Sequence, residues 1–243
     1  MIFYLTLVKD DPFAAIVFSL SIAVALVAGI SFHEFSHAFT ADSLGDRLPR
    51  SQGRVTLNPL AHLDPTGTIL MIMVGIGWGK PVQFNPYATK NPKASIGLVS
   101  AAGPLSNFIV AAAFGLPIKL GAVPWISPFN TVRFSQLADR GFGSSEYLGL
   151  FLTSIVLFSI ILGVFNLLPI APLDGFKVVL GILPRDLAND FAKLEPYGPM
   201  ILIIGFLSPF LTGGKFGLFG IMQPLIKVLA NLFAGVAGGD VFV

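Results

Sequence analysis

The feature that most constrains this chain is a long apolar segment that ends in a cluster of ionisable residues. Residues 12–32 contain no charged side chain, and a helix of this length can cross a hydrocarbon layer of about 30 Å. The sequence HEFSH, residues 33–37, follows directly. Because ionisable groups at membrane depth are costly and mostly functional, the sequence indicates a membrane helix with a functional site near its end.

The two histidines of this cluster are spaced for joint metal binding. Side chains four residues apart lie on one face of a helix, so His33 and His37 can both reach one ion. Glu34 lies one position further round, where it can reach a metal-bound water without being a ligand, which suits a general base. The alternative is a pair of interfacial histidines beside a glutamate that reaches towards the headgroups.

The composition places the whole chain in the membrane class. Of the 243 residues, 54% are apolar and 12% are charged, whereas soluble domains contain about 25% charged residues. The lack of cysteine excludes disulfides, thiolate metal sites and a cysteine nucleophile. The net charge of +2, with scattered basic residues, gives no indication of nucleic-acid binding. Because Asp10 and Asp11 precede the first apolar run and no small-residue cleavage site follows, we expect an uncleaved helix.

The apolar segments predict an all-α polytopic membrane protein with a three-helix core and a C-terminal helical hairpin. The expected ranges are about 12–39, 94–120 and 147–168 for the spanning helices and about 196–211 and 216–233 for the hairpin, with its turn at Thr212-Gly213-Gly214. We expect one membrane-embedded domain over residues 1–243 and no separate soluble domain. Its core would cover about residues 12–180 and its hairpin about residues 196–236.

The chain between the first two spans predicts a short membrane-associated β-hairpin and a re-entrant segment. Residues 54–57 alternate between apolar and polar side chains, as a short strand does. Residues 66–78 are apolar but too short to span, and Gly75 and Gly77 interrupt them, so they are expected to enter and leave on one side. Residues 80–85 are predicted to form an extended edge strand that contains a proline.

The positions of Lys and Arg predict the orientation. Nine of them fall on the side that holds residues 41–93 and 176–195, and five fall on the other side. Since the richer side is usually cytoplasmic, we expect a cell-membrane protein with its N-terminus outside. The histidine pair would then lie in the cytoplasmic half of the membrane.

A catalytic zinc site needs a third protein ligand. The candidates are few, because the chain has three histidines and thirteen carboxylates. His62 lies in the polar segment, and Glu146 lies on the opposite side in the predicted topology. Asp174 follows the third span at a depth similar to that of His33. A helix N-cap explains Asp174 equally well, so its spacing alone does not decide between the two roles.

Two asparagines within apolar helices also have two explanations each. Asn166 could donate a hydrogen bond to a developing oxyanion, or it could bond to a neighbouring helix. Asn107 offers the same choice. For Asn107 we favour the structural role, because Gly103 and Pro104 allow a neighbouring helix to come close.

Three motifs together resemble the site-2 protease family of intramembrane zinc metalloproteases, peptidase family M50. The sequence His33-Glu34-Phe35-Ser36-His37 is similar to the family's H-E-x-x-H. Gly103-Pro104-x-x-Asn107 is similar to its second-helix motif, and Asn166-x-x-Pro169-x-x-x-Leu173-Asp174-Gly175 to its N-x-x-P-x-x-x-L-D-G motif. The motifs occur in the family's order, and the resemblance covers about residues 20–180.

The resemblance implies a three-helix catalytic core that holds one Zn²⁺ per chain through His33, His37 and Asp174. It further implies that Glu34 is the general base and that Asn166 stabilises the transition state. The implied substrates are membrane proteins in a lipid bilayer, cut within or near their transmembrane segments. The sequence does not predict an oligomeric state.

A membrane helix must unwind before cleavage, because its own hydrogen bonds shield its peptide bonds. We predict that Val82, Gln83 and Phe84 bind the unwound segment by β-addition; a surface turn is the simpler explanation of these residues. Two other functions are also compatible with these residues. The His, Glu and Asp cluster could form an ion or proton pathway in a channel or transporter, or the chain could be an inactive relative, against which the intact Glu34 argues.

Overall fold

The computed structural model describes residues 11–74, 78–213 and 217–242. These residues form helices joined by loops and short 3₁₀ turns, and no β-sheet occurs among them. In chain order the helices are α1 (Pro12–Ser43), α2 (Leu48–Ser51), α3 (Pro65–Val74), α4 (Pro92–Lys119), α5 (Thr131–Arg140), α6 (Ser144–Asn166), α7 (Asp174–Ile182), α8 (Arg185–Ala192), α9 (Gly198–Leu211) and α10 (Leu218–Ala234).

Helical stretches long and apolar enough to cross a membrane confirm the predicted class. Among the described residues there are four, α1, α4, α6 and the stretch Arg185–Leu211. Helix α10 is apolar but shorter. The three predicted spans of the core correspond to α1, α4 and α6, with ends that differ from the prediction by a few residues.

Polar caps determine where the long helices begin. The Asp11 side chain accepts a hydrogen bond from the Ala14 N–H, and Pro12 follows it at the first helical position. Asn91 and Pro92 repeat this arrangement at the start of α4. A cap followed by proline satisfies the free N–H groups and presets the backbone for a helix. Helices α1 and α4 therefore start at the polar loops that precede them.

Helices α1, α4 and α6 pack on one another as a bundle. Small side chains let them come close: Gly29 of α1 lies against Leu162 of α6 and Asn107 of α4. Small residues also dominate many other buried positions of α1, whereas Phe13, Ile16 and Leu20 are exposed on its outer surface. Small residues at helix contacts and large apolar residues outside are typical of helices packed within lipid.

The last helix, α10, runs along α4 and ends beside the C-terminal end of α4. Gly115 packs against the Phe233 carbonyl, and Lys119 Nζ donates to the Leu232 oxygen at 2.7 Å. The sequence did not predict that α10 ends at this end of the bundle. Thr212 and Gly213 follow α9 as a turn, as predicted, while the third residue of that turn, Gly214, lies outside the described residues.

The predicted β-hairpin is wrong. Among the described residues the one bridge is an isolated antiparallel pair, Leu63 with Gly79, and residues 54–57 form no strand. The reason lies in the hydrogen bonds of residues 79–85, which we call the 79–85 segment. Its backbone groups bond to side chains: Lys80 O accepts from Arg54, and Asn85 N–H donates to Asp46 Oδ2 at 2.6 Å. Side chains thus take the place of a partner strand.

The two ends of the apolar segment 66–78 lie together, as the ends of a re-entrant segment would. Helix α3 begins at Pro65, and Gly67 in its first turn lies against the backbone of Trp78. The Leu63–Gly79 bridge joins the two ends of the segment. Gly75 and Gly77, which the sequence predicts to interrupt it, lie outside the described residues.

Candidate active site

The two histidines of α1 face the interior of the bundle. Their side chains lie in the last third of the helix and are buried. The rings meet edge to face, with 4.6 Å between their centroids. The four-residue spacing therefore places both imidazoles on one buried face, as the sequence predicts.

Asp174 joins this pair from the other side of the bundle. Its Oδ2 lies 2.9 Å from His33 Nε2 and 3.2 Å from His37 Nε2. The three possible ligand atoms all lie within 4.8 Å of one another, and no other group of this kind was found in the described part of the chain. Asp174 is the first residue of α7, and the cap position belongs to Leu173. The capping role considered for Asp174 is therefore wrong.

The outer nitrogens of both rings are held by α4. His37 Nδ1 donates to the Val99 carbonyl at 2.6 Å, so its Nε2 carries a lone pair towards Asp174. His33 Nδ1 lies 3.0 Å from Asn107 Nδ2. As favoured from the sequence, Asn107 thus bonds to a neighbouring helix.

Gly103 leaves room between the two imidazoles. A Cβ atom at this position would lie 2.4 Å from His37 Nε2 and 2.6 Å from His33 Nε2. Such distances are shorter than any carbon contact that packing tolerates, so no other residue fits here. The glycine keeps open the space that both Nε2 atoms face, and the following Pro104 is buried beside it.

These observations test whether the site suits a zinc ion. Two imidazole nitrogens and one carboxylate oxygen are a donor set that catalytic zinc uses. Asn107 Oδ1 is buried and has no hydrogen-bond partner among the described residues. Turning this amide would place Oδ1 against His33 Nδ1, and the ring would then carry its proton on Nδ1 and present a lone pair at Nε2. The residues therefore fit the metal.

Glu34 lies beside the three possible ligands, and it lines one cavity together with them. Its Oε2 accepts a hydrogen bond from the Val82 N–H at 3.1 Å and lies 3.8 Å from Arg54 Nη2. The cavity has a volume of about 590 Å³. Most of its lining is apolar and comes from α1, α6, α9 and α10, and its polar lining residues include His33, Glu34, His37, Asn166, Asp174 and Lys177.

Comparison with known proteins now decides the family. Over 216 residues the chain is 31% identical to the Bacillus subtilis protein named "Putative zinc metalloprotease YwhC", a match that covers 88% of this chain and 91% of the relative. The chain belongs to peptidase family M50. The model of that family matches residues 127–206.

Mycobacterial relatives support the assignment. The chain is 32% identical over 202 residues to "Putative zinc metalloprotease Rip2" of Mycolicibacterium smegmatis, with 81% of this chain and 70% of the relative covered. The protein of the same name from Mycobacterium tuberculosis strain H37Rv is 30% identical over 207 residues, with 83% and 71% covered. No solved structure matches the chain.

Asn166 of this M50 peptidase lines the cavity but bonds within its own helix. Its Nδ2 donates to the Leu162 carbonyl at 2.9 Å. The bond to a neighbouring helix that we considered from the sequence is therefore wrong for Asn166. The side chain lies at the last position of α6, just before the loop that leads to Asp174.

The three predicted substrate-binding residues are placed differently from one another. Val82 lines the cavity and contacts Glu34, whereas neither Gln83 nor Phe84 belongs to the lining. Gln83 is exposed and accepts a long hydrogen bond from Gln52, and Phe84 is half-buried. Their backbone groups have no strand partner among the described residues.

His62 and Glu146, which were not favoured as ligands from the sequence, lie outside the metal group. His62 is fully buried and bonds to the Thr56 carbonyl at 2.7 Å. Burial lowers the pKa of His62, and the nearby Arg54 charge lowers it too, so its ring stays neutral. Glu146 binds the Gly143 N–H at the start of α6.

Two charged residues of the site were not predicted from the sequence. Arg54 is buried behind Glu34, and Lys177 lines the cavity three residues after Asp174. The signal for Lys177 was its spacing from Asp174, which places both on one face of a short helix. Arg54 gave no such signal, because its partners are distant in sequence.

Proposed function

We propose that His33, His37 and Asp174 hold the zinc ion with which this member of family M50 hydrolyses peptide bonds in membrane proteins. The bonds would lie within or near the transmembrane segments of the substrate. The observation that carries this proposal is the convergence of three ligand atoms on a space that Gly103 keeps open. No observation favours a channel or a transporter.

The chemistry divides between the metal and the side chains around it. When bound, zinc acts as a Lewis acid and lowers the pKa of its water to about 7. Glu34, whose carboxylate lies in the cavity beside the ligand group, takes the proton of the attacking water and passes it to the leaving amine. The apolar lining keeps other water away and strengthens these electrostatic contacts.

Asn166 is proposed as the donor to the developing oxyanion. Its amide lies in the cavity wall and bonds to a carbonyl four residues earlier in the same helix. A side-chain rotation that exchanges this carbonyl for the substrate oxygen would supply the donor. One such hydrogen bond contributes about 3 kcal/mol in the transition state.

The 79–85 segment is proposed to bind the unwound substrate. It borders the cavity through Gly79, Pro81 and Val82. Gly79 bridges to Leu63, but residues 81–84 have no strand partner among the described residues. Peptides commonly bind proteases and other domains by adding a strand to such an edge. Gln83 and Phe84 would extend the pairing away from the metal group.

We place the protein in the cell membrane with the site in its cytoplasmic half. The excess of Lys and Arg on the side of residues 41–93 supports this orientation. Residues 12–180 would act as the catalytic core and residues 196–236 as an attached helical unit within one membrane domain. Lipid surrounds the outer faces of the bundle, whose large apolar side chains are exposed.

One experiment tests the proposal in purified protein reconstituted with a model transmembrane substrate. Zinc content and cleavage are measured for the wild type, Glu34→Gln and Asp174→Ala. We expect one zinc per chain and cleavage in the wild type, zinc without cleavage in Glu34→Gln, and neither in Asp174→Ala. Cleavage that persists in Glu34→Gln, or full zinc binding in Asp174→Ala, would contradict the assigned roles.

A further inference from the structure

Arg54 is buried although it lies in the most polar part of the chain. Only 5% of the surface of Arg54 is exposed to solvent. Its two terminal nitrogens donate to carbonyls in two different loops, Nη1 to Ala61 and Nη2 to Lys80. Arginine is rarely buried without a counter-charge, because removing its charge from water costs several kcal/mol. The guanidinium therefore needs a nearby carboxylate.

That carboxylate is Glu34. Its Oε2 lies 3.8 Å from Arg54 Nη2, and no other carboxylate lies within ion-pair distance of Arg54 among the described residues. The other arginines of this segment, Arg47 and Arg50, both pair with Asp42 and have side chains that are mostly exposed. Arg54 is thus the arginine of the segment that is directed at the site.

The same carboxylate oxygen also receives the 79–85 segment. Glu34 Oε2 accepts the Val82 N–H at 3.1 Å, and Arg54 holds this segment two residues earlier at the Lys80 carbonyl. Arg54, Glu34 and the segment therefore form a closed triangle of contacts. Both contacts of the carboxylate use Oε2, and Oε1 has no hydrogen bond or ion pair in the described part of the chain.

We propose that Arg54 is a positioning residue that fixes Glu34 Oε2 and the 79–85 segment relative to each other, so that Oε1 is the oxygen that accepts the proton. This inference rests on the proposed function of Glu34 as general base. A glutamate side chain has three rotatable bonds, and a hold on one oxygen limits where the other points. The substrate-binding segment is tied to the same group, which aligns the substrate with the base.

Kinetic measurements can distinguish a positioning role of Arg54 in catalysis from a role in folding alone. Misplacement of a reacting group by about 1 Å can lower the rate about 100-fold. We therefore expect Arg54→Gln to lower kcat about 10- to 100-fold while KM changes little and one zinc per chain is retained. Arg54→Lys, which keeps the charge but not the two-armed geometry, should recover part of the lost kcat.

Two variants serve as matched controls. Arg50→Gln removes an arginine from the same segment whose partner is Asp42, so kcat should stay at the wild-type value. Arg47→Gln removes the other arginine that pairs with Asp42, and it should also keep kcat. An equal loss in either control, or a raised KM with unchanged kcat in Arg54→Gln, would overturn the proposal. If Arg54→Gln does not fold, Arg54→Lys must show the kcat loss by itself.

A double-mutant cycle tests the contact without relying on activity. Unfolding temperatures are compared for the wild type, Arg54→Gln, Glu34→Gln and the double variant. Because Glu34→Gln leaves the guanidinium without a counter-charge, it should destabilise the wild type more than it destabilises Arg54→Gln. Additive shifts would refute the coupling. An inactive wild type with a clear coupling would instead count against the proposed function and leave the contact supported.

Discussion

The two ends of the helix bundle differ in how completely their buried polar groups are hydrogen-bonded. At the start of α1, Asp11 accepts hydrogen bonds from the Ala14 N–H at 3.0 Å and the Tyr147 hydroxyl at 2.8 Å, and the Phe142 N–H lies 3.5 Å away. About 33 Å further along α1, around His33, polar groups are only partly satisfied. Of the four buried side-chain atoms without a hydrogen bond in the described residues, three lie there, namely Arg54 Nε, His62 Nδ1 and Asn107 Oδ1.

The difference shows which end is built for stability and which for chemistry. A buried polar atom without a partner lowers the free energy of unfolding by about 1–3 kcal/mol, so three of them at one end reduce stability substantially. Such groups concentrate where a protein binds a ligand or performs a reaction. We expect substitutions at the site end to change zinc binding and activity and those at the opposite end to change stability alone.

The largest effect is expected from Gly103→Ala. The added Cβ would lie 2.4 Å from His37 Nε2, so the imidazoles cannot keep their positions. Zinc content should fall close to zero and cleavage should be lost. Gly220→Ala is the matched control, because that helical glycine has open space around it and should keep both properties. Zinc analysis of the two purified variants checks this, and a zinc-loaded Gly103→Ala would break the account of the site.

A smaller loss of zinc affinity is expected from Asn107→Ala. The amide holds the outer nitrogen of His33, and removing such a support typically weakens metal binding about 10- to 100-fold. Competition with a chelator measures the affinity. Since Asn107 already has one unpartnered atom, the unfolding temperature should change little. A large drop in stability with unchanged zinc affinity would assign Asn107 to packing instead.

Phe84→Pro should reduce cleavage while zinc stays bound. Proline cannot donate the backbone hydrogen bond that strand addition at this position uses. Loss of one or two such bonds predicts about a tenfold decrease in the cleavage of a transmembrane substrate. Tyr87→Ala, just beyond the segment and strongly exposed, is the control. Unchanged cleavage in Phe84→Pro would remove the 79–85 segment from the substrate path.

The smallest functional effect is expected at the opposite end, from Asp11→Asn. The Asp11 pKa lies below its usual value: burial raises it, but hydrogen bonds from Ala14, Tyr147 and Phe142 lower it more. The ionised form therefore stabilises the fold at pH values above the unfolded pKa of about 3.9, and this contribution is lost as the pH falls through the lower pKa of the folded state.

Asp11→Asn should cost about 1 kcal/mol of stability at neutral pH, since it replaces a charged helix cap. The cost should shrink as the pH is lowered towards 3, which unfolding measurements in detergent can follow. Zinc content and cleavage at neutral pH should match the wild type. A loss of zinc in this variant would contradict the separation between the two ends.

Local sequence patterns predicted the parts of the fold that depend on local physics. The spanning helices follow from apolar runs with capping residues, and the shared face of His33 and His37 follows from helical periodicity. The role of Asp174 was harder to predict, because the depth of a residue in a membrane does not determine its contacts. Spacing left it as a ligand or a cap, and the resemblance to a family made the choice.

Contacts between distant segments could not be predicted in this way. Residues 80–85 look like a strand, but Arg54 and Glu34 take the hydrogen bonds that a neighbouring strand would need. For Asn166 the sequence left open an oxyanion donor or a bond to a neighbouring helix, and the amide bonds within its own helix. The path of α10 was not predicted, because neither its apolar residues nor its polar Gln223, Lys227 and Asn231 show which end of the bundle it reaches.

The central claim is that two imidazoles from α1 and one carboxylate from α7 bind the same ion. X-ray absorption spectroscopy at the zinc edge tests it most directly. The account predicts two imidazole nitrogens and oxygen ligands, all at about 2.0–2.2 Å, with one imidazole fewer in His33→Ala. Zinc bound to a different set of ligands, or a spectrum that does not change in His33→Ala, would contradict it.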